Sequence, residues 1–202
     1  MLHTFRTATP PTEDAVLRGM FAARKSVFVD LLKWDIPVVD DRFEVDQFDN
    51  EHAVYLVLTD TDTGHLASAR LLPTERPHIL DTLYAELCED APPRSADVYE
   101  ITRFCLDRSL TARERRAVRD ALVLSLARHA LDHGITCYSA IAEMGWFQQI
   151  LAFGWHCRPL GLPQTIGGRM LAALAIDIDA DTPDRLAAAG IGAARPLELV
   201  AA

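Results

Sequence analysis

No apolar stretch in the 202-residue chain approaches the ~20 residues needed to span a bilayer, which argues against a helical membrane anchor. The opening residues MLHTFRTATPP have no continuous apolar core of the kind that marks a secretory leader, so a cytoplasmic location is expected. Cysteine is scarce: Cys88, Cys105, Cys137 and Cys157 stand far apart without a CxxC pair, and reduced, buried thiols are expected. Positive charge is also short. With 20 Lys and Arg against 29 Asp and Glu the net charge is −9, which argues against nucleic acid as the main partner. Internal repeats, low-complexity tracts and divisive linkers are all missing, so a single domain over 1–202 is expected.

Half of the residues are hydrophobic, enough for a full core. Apolar residues recur at Val16, Leu17, Met20, Phe21, Val27, Phe28, Leu31 and Leu32, the spacing of one buried helix face. Thr12 is the expected cap of that helix, which runs to about Leu32. Arg24 falls on the same apolar face, four residues after Met20 and four before Phe28, so its guanidinium needs a partner inside. The pattern fades at Trp34 and Pro37. Asp40, Asp41, Glu44, Asp46, Asp49 and Glu51 then follow within twelve residues. An arginine on an apolar stripe, two aromatics and a run of carboxylates suit a pocket for a zwitterionic, partly aromatic small molecule. No histidine clusters with the acidic residues, so no metal site is expected.

Further along, AVYLVLT and HLASARLLP read as a hairpin around the turn DTDTG, with Arg70 near the end of the second strand and Pro73 expected to stop the pairing. DVYEITRFCLD is a third strand. Strict alternation would put Glu100 and Arg103 on opposite faces of it unless a bulge re-aims one of them. Thr111 and Glu114 form a capping box for a helix that runs to Gly134. A strand ITCYSAIA, a helix EMGWFQQILAF ended by Gly154, two strands opened by WHCRPLG and RMLAALAIDID, and a short helix capped by Thr182 complete the order. A hairpin followed by crossover helices gives an α/β (α+β) fold, a mixed twisted sheet with helices on both faces.

Arg24-x3-Phe28-x5-Trp34, then EVDQFDN with Asp46 and Asp49, ASARLLPT with Arg70, and YEITRF with Glu100 and Arg103 resemble the acyl-homoserine-lactone synthases, the autoinducer synthases of bacterial quorum sensing. All eight charged and aromatic positions of that family's signature are matched. The resemblance implies a three-layer fold similar to the GCN5-related N-acyltransferases. It also implies a reaction in which the α-amine of S-adenosylmethionine attacks an acyl thioester and the methionyl carboxylate then displaces methylthioadenosine to close the lactone.

On that resemblance Arg24, Phe28, Trp34, Asp46, Asp49, Arg70 and Arg103 bind S-adenosylmethionine, which is a substrate, so no cofactor is expected. Catalysis falls to Glu100 as base, with Arg103 and Asp46. The pantetheine arm and acyl chain are expected against Phe104, Cys105, Leu122, Ser139, Ala140, Ile141, Met144, Trp146, Phe147 and Ile150. Ser139 followed by alanines, where many relatives that use 3-oxo chains have a threonine, makes a 3-oxo preference less favoured. Arg113, Arg115, Arg116 and Arg119 at a helix start are expected to dock an acidic acyl-carrier protein, since arginines there oppose the helix dipole. The same place, DRSLTARERR, has no glycine to cradle a pyrophosphate, which favours carrier protein over acyl-coenzyme A as donor without excluding the latter. An N-acyltransferase of the same fold acting on another amine is the alternative.

Overall fold

In a computed structural model of the chain, residues 1–6, 14–60 and 64–192 are described. The elements run β1 (Leu2–Arg6), α1 (Ala15–Arg24), β2 (Val38–Val39), β3 (Phe43–Glu44), β4 (Val54–Thr59), β5 (His65–Pro73), α2 (Ile79–Leu83), β6 (Val98–Leu106), α3 (Ala112–His133), β7 (Cys137–Glu143), α4 (Met144–Leu151), β8 (His156–Pro159), β9 (Gln164–Ile166), β10 (Arg169–Asp177) and α5 (Thr182–Ala188). Across the main sheet the order is β1-β4-β5-β6-β7-β10-β8, with β9 also on β10, while β2 and β3 form a separate pair. Among the described strands only β6 and β7 run parallel, and α3 is the crossover between them.

Period-two alternation sorts the central strands onto two cores. Val54, Leu56, Ala67, Ala69, Leu71, Ile101, Tyr138 and Ala140 face α3, α4 and α5, meeting Leu122, Leu126, Phe147 and Leu186. Tyr55, Val57 and Leu72 face the other way, onto Val16, Leu17, Met20 and Phe21 of α1. The sheet is therefore covered on both faces, as expected. No described helix is long and apolar enough to cross a membrane. The four cysteines are free thiols, and burial pushes the Cys105 thiol up to about 12.

Four details depart from the expectations. Thr12 lies outside the described residues. The cap of α1 is Asp14, whose Oδ1 accepts from the N–H of Val16 at 2.8 Å and of Leu17 at 3.0 Å. Second, the helix does not stay α-helical: Lys25–Leu31 is π-helical. Each wider turn turns the following side chains away from the stripe, so Leu31 and Leu32, expected on the buried face, are 52% and 42% exposed. Third, Pro73 ends β5 without stopping the pairing, since it still faces Tyr99 of β6. Finally, Asp181 is the residue before α5 and Thr182 its first helical residue, with Pro183 in the first turn. β1, the β2–β3 pair and β9, all short and at edges, have no clear periodic signal in the sequence.

The capping box at Thr111 forms as expected, and Gly134 closes α3 with φ +68°. Gly154 closes α4 with φ +94°, where a Cβ would lie 2.7 Å from both the Ala189 Cβ and the Arg185 carbonyl oxygen. Gly154→Ala should therefore destabilise the fold by about 2–3 kcal/mol in urea unfolding, through both backbone strain and the clash with α5. A loss below about 0.5 kcal/mol would show that α5 gives way freely there.

Candidate active site

The first feature is a buried ion network on the α1 side of the sheet. Arg24 enters from the last turn of α1, Glu44 from β3, Asp46 and Asp49 from the loop after it, Arg70 from β5 and Arg103 from β6. Arg24 donates from Nε to Glu44 at 2.5 Å and from both Nη atoms to the two Asp49 oxygens at 2.8 Å each. Arg70 makes the same fork onto Asp46, at 2.6 and 3.0 Å, and its Nη1 also reaches Asp49 at 2.8 Å. Arg103 joins Glu44 at 3.0 Å to Asp46 at 2.7 Å. Three guanidiniums thus meet three carboxylates, and side-chain exposure of Arg24, Glu44 and Arg70 is at most 1%.

Burial on this scale disfavours charge, and the forks outweigh it. For Asp49 burial pushes the carboxyl up, but Arg24 and Arg70 hold it well below the usual carboxylate range. Burial likewise opposes the Arg24 cation, and Asp49 and Glu44 raise its pKa above the ordinary arginine value. Tyr55 donates to Asp49 at 2.8 Å, Thr102 accepts from Arg70 Nε at 2.9 Å, and the backbone N–H of Asp46 donates to Asp49 at 2.8 Å. Glu44, Tyr55 and Thr102 are the site residues that the sequence pattern does not single out. The register of Thr102 opposite Arg70 is the one signal that could have found any of them. The ligand atoms of Glu44, Asp46 and Asp49 lie within 4.8 Å of one another, but their charge is already met by arginine.

Next to the network Phe28 and Trp34 stack, with ring centroids 4.8 Å apart and an interplanar angle of 25°. The Arg103 guanidinium lies 5.6 Å from the Phe28 centroid and 5.8 Å from that of Trp34, joining wall to network. Trp34 Nε1 is buried with no protein partner. Asp46 and Asp49, expected among the residues that bind S-adenosylmethionine, have their oxygens engaged by arginine.

Arg103 reaches this face through a bulge. Its φ is +50°, and the β5–β6 register steps from Arg70↔Thr102 to Ser68↔Cys105, one residue more on β6 than on β5. Glu100, Thr102, Arg103 and Cys105 consequently share one face and Phe104 turns to the other. The β6–β7 ladder ends at Ile101↔Ala140 although both strands continue, so the two strands part near the bulge. Backbone of β6 beyond Ile101 is thereby left beside the opening, where a thioester oxygen needs N–H donors.

Glu100 stands apart from the network. It is fully buried, and its two oxygens accept from the N–H of Ile79 at 2.8 Å and of Leu80 at 3.0 Å. Burial pushes its carboxyl up to about 8 against the pull of those N–H groups and of Arg70.

On the opposite face Phe104, Leu122, Ala140, Met144, Trp146, Phe147 and Ile150 of the expected acyl-chain set share one apolar core, with the Phe104 and Trp146 ring centroids 5.2 Å apart. Three members of that set do not join them. Cys105 packs on Ala23 and Phe28, and Ile141 on the α1 and α2 side, because the bulge and the alternation of β7 send them there. Ser139 faces the same way beside Glu100, and its Oγ is buried without a protein partner. The basic helix start divides too: Arg113 and Arg116 are exposed, whereas Arg115 donates to the Asp107 carbonyl at 2.9 Å and Arg119 pairs with Asp120 at 2.6 Å.

Two solved structures, a putative N-acetyltransferase from Lactobacillus plantarum and Escherichia coli ElaA, share this fold at TM-scores of 0.57 and 0.56 with 16% identity. They cover 88% and 87% of this chain and 99% and 97% of their own. The architecture is thus that of the GCN5-related N-acyltransferases. The model of the autoinducer synthases matches residues 11–186, and the chain belongs to that family. It is 35% identical over 175 residues to an acyl-homoserine-lactone synthase of Ralstonia nicotianae, covering 84% of this chain and 85% of that one. An isovaleryl-homoserine lactone synthase of Bradyrhizobium diazoefficiens is 29% identical over 192 residues, 92% of this chain and 84% of the other. The structure of BjaI, a coenzyme A-dependent acyl-homoserine lactone synthase with S-adenosylmethionine and isopentyl-CoA, superposes with a TM-score of 0.82 at 28% identity, covering 94% of this chain and 89% of BjaI.

Asp49→Asn should cost about 3–5 kcal/mol at neutral pH, because it leaves Arg24 and Arg70 under-compensated in a buried site. The folded-state carboxyl sits below its usual value of 3.8, so its contribution is complete above that pH and fades as pH falls. Urea titrations should show the two proteins converging as the pH is lowered below about 4. A difference that stays constant into acid would contradict the network.

Proposed function

We propose that this chain is an acyl-homoserine-lactone synthase that makes a quorum-sensing signal. The acyl group passes from a pantetheine thioester to the α-amine of S-adenosylmethionine. The methionyl carboxylate then attacks the carbon next to sulfur, closing the lactone and releasing methylthioadenosine. The observation that carries this reading is the junction at Arg103: one side chain joins an aromatic wall to a charge network, at the point where β6 and β7 part. An aromatic wall suits adenine and a sulfonium cation. The gap between the parted strands admits the thioester, and the apolar set around Phe104 and Trp146 receives the chain beyond it.

Glu100 is the base in this scheme. An ammonium cannot attack a carbonyl, and a carboxylate with a pKa of about 8 is well matched to take its proton near neutral pH, directly or through a water. Arg24, Asp46, Asp49 and Arg70 shape the pocket by holding one another, and Arg103 presents the remaining guanidinium edge to the substrate carboxylate. No cofactor enters the scheme, since S-adenosylmethionine is consumed. Four free thiols and the nature of both substrates support a cytoplasmic location.

The purified protein incubated with S-adenosylmethionine and a panel of acyl-coenzyme A and acyl-carrier-protein donors should yield acyl-homoserine lactone and methylthioadenosine by mass spectrometry. An acylated amine without lactone would favour the alternative N-acyltransferase, and no product from any donor would sink the synthase reading. Glu100→Gln should lower turnover by about 10²–10⁴-fold with the fold retained, and unchanged turnover would sink the base assignment. In the parent, kcat/KM should rise with pH and level off above about 8, since the carboxyl must be ionised to accept a proton.

The donor's carrier can be separated by Arg113 and Arg116, the exposed members of the basic set. Reversing both charges should raise KM for a carrier-protein donor in a salt-dependent way. An unmoved KM would remove this helix start from the docking surface.

A further inference from the structure

Trp34 sits just after a corner that the chain does not adopt readily. The π-helical turn ends at Leu31 with Leu32 as its cap, and Lys33 follows with φ +58°, a conformation that non-glycine residues keep only when their surroundings enforce it. Two local bonds help: the N–H of Leu32 donates to Val27 O and that of Trp34 to Phe28 O, each at 2.9 Å. Both lie within the segment itself and do not fix it to the rest of the molecule.

The fixing contact comes from the far end of the sequence. Gly167 and Gly168, with φ of +56° and +77°, make the tight turn between β9 and β10, and Arg169 is the first residue after it. From there its Nη2 donates to the Leu32 carbonyl at 2.9 Å, across 137 residues of chain. The same guanidinium lies 5.3 Å from the Trp34 ring centroid, and its Nη1 is 3.4 Å from Glu143 at the end of β7. One planar group thus spans the helix end, the aromatic wall and the strand that parts from β6. The Glu143 pair is half-exposed and contributes little by itself. The carbonyl bond and the ring contact are what tie the corner to the β9–β10 turn.

We propose that Arg169 is a positioning residue for S-adenosylmethionine: it clasps the Leu32–Trp34 corner and so keeps the indole stacked on Phe28 in the geometry that receives the substrate. This rests on the reading that the Phe28–Trp34 wall is the S-adenosylmethionine site. Arginine suits the task where lysine does not, because only a planar fork can bond a carbonyl along its edge while its face covers a ring. The clasp acts on one substrate only, since the acyl set lies on the other side of the sheet.

Isothermal titration of S-adenosylmethionine alone into the parent, Trp34→Ala, Arg169→Met and Arg169→Lys proteins tests this, with steady-state kinetics alongside. Trp34→Ala should lose most of the binding. Arg169→Met should weaken binding and raise KM for S-adenosylmethionine about tenfold, while kcat at saturation and KM for the acyl donor stay within about twofold. Arg169→Lys should recover only part of the loss, and Glu143→Gln should behave as the parent. Should Trp34→Ala bind normally, the wall is not the substrate site, and the reading beneath the proposal falls with it. Weak binding in Trp34→Ala together with parental binding in Arg169→Met would overturn the clasp alone. A fall in kcat with both KM values unchanged would overturn it as well.

Discussion

Three arginines and three carboxylates buried between α1 and the sheet set the geometry of everything around them. Taking six charges out of water is costly, and the arrangement survives because nearly every partner is met by a fork or a second donor rather than by a single contact. Arg24 and Arg70 each face an aspartate through two parallel bonds, which fixes direction as well as distance. The loop from Glu44 to Asp49 has little regular structure of its own, so its course over the sheet follows from those bonds. Arg103 then carries the constraint outward, because the guanidinium that bonds Glu44 and Asp46 also lies against Phe28 and Trp34. Lysine could satisfy the charge at these positions but not the geometry.

A single extra residue in β6 does the remaining work of assembly. Without the bulge, Arg103 would point into the α3 core, where it has no anion, and Phe104 would point toward the network. With it, Arg103 joins Thr102 and Glu100, Phe104 joins Trp146, and the strand bends away from β7. The side chains that face the two substrates and the opening between them therefore come from one backbone event, at the residue whose φ is +50°.

Much of this was legible in the sequence because charge in an apolar register is conspicuous. Arg24 on a helix stripe, Arg70 in a buried strand, and Glu100 with Arg103 in another announce themselves by being where water is not, and the need for a bulge followed from counting alternation. What could not be read was partnership. Nothing local says that Glu44 rather than Asp40 or Asp41 would be the buried acid, since that depends on which guanidiniums the loop meets. The same limit explains the misplaced residues. Leu31 and Leu32 left the stripe because of the π-helical turns, Cys105 changed sides through the bulge, and Ile141 followed the alternation of β7. The shifts of Leu31, Leu32 and Cys105 come from a small change of backbone phase, which moves every later side chain while leaving composition and spacing untouched.

The separation of Glu100 from the network explains how neighbouring carboxylates come to differ. Asp49 and Glu100 are both buried, so desolvation pushes both upward. Asp49 touches two guanidiniums, and their full charges reverse the effect. Glu100 is held by two backbone N–H groups at the start of α2, whose partial charges soften the effect without reversing it, and Arg70 acts on it only from a distance. Had Glu100 been placed within the forks it would be permanently ionised and fully hydrogen-bonded, a poor proton acceptor. Had it been buried without the N–H groups, burial would push its carboxyl higher still. A carboxyl that titrates near 8 needs an intermediate setting, and the register that places Glu100 three residues before Arg103, opposite α2 instead of the acidic loop, provides it.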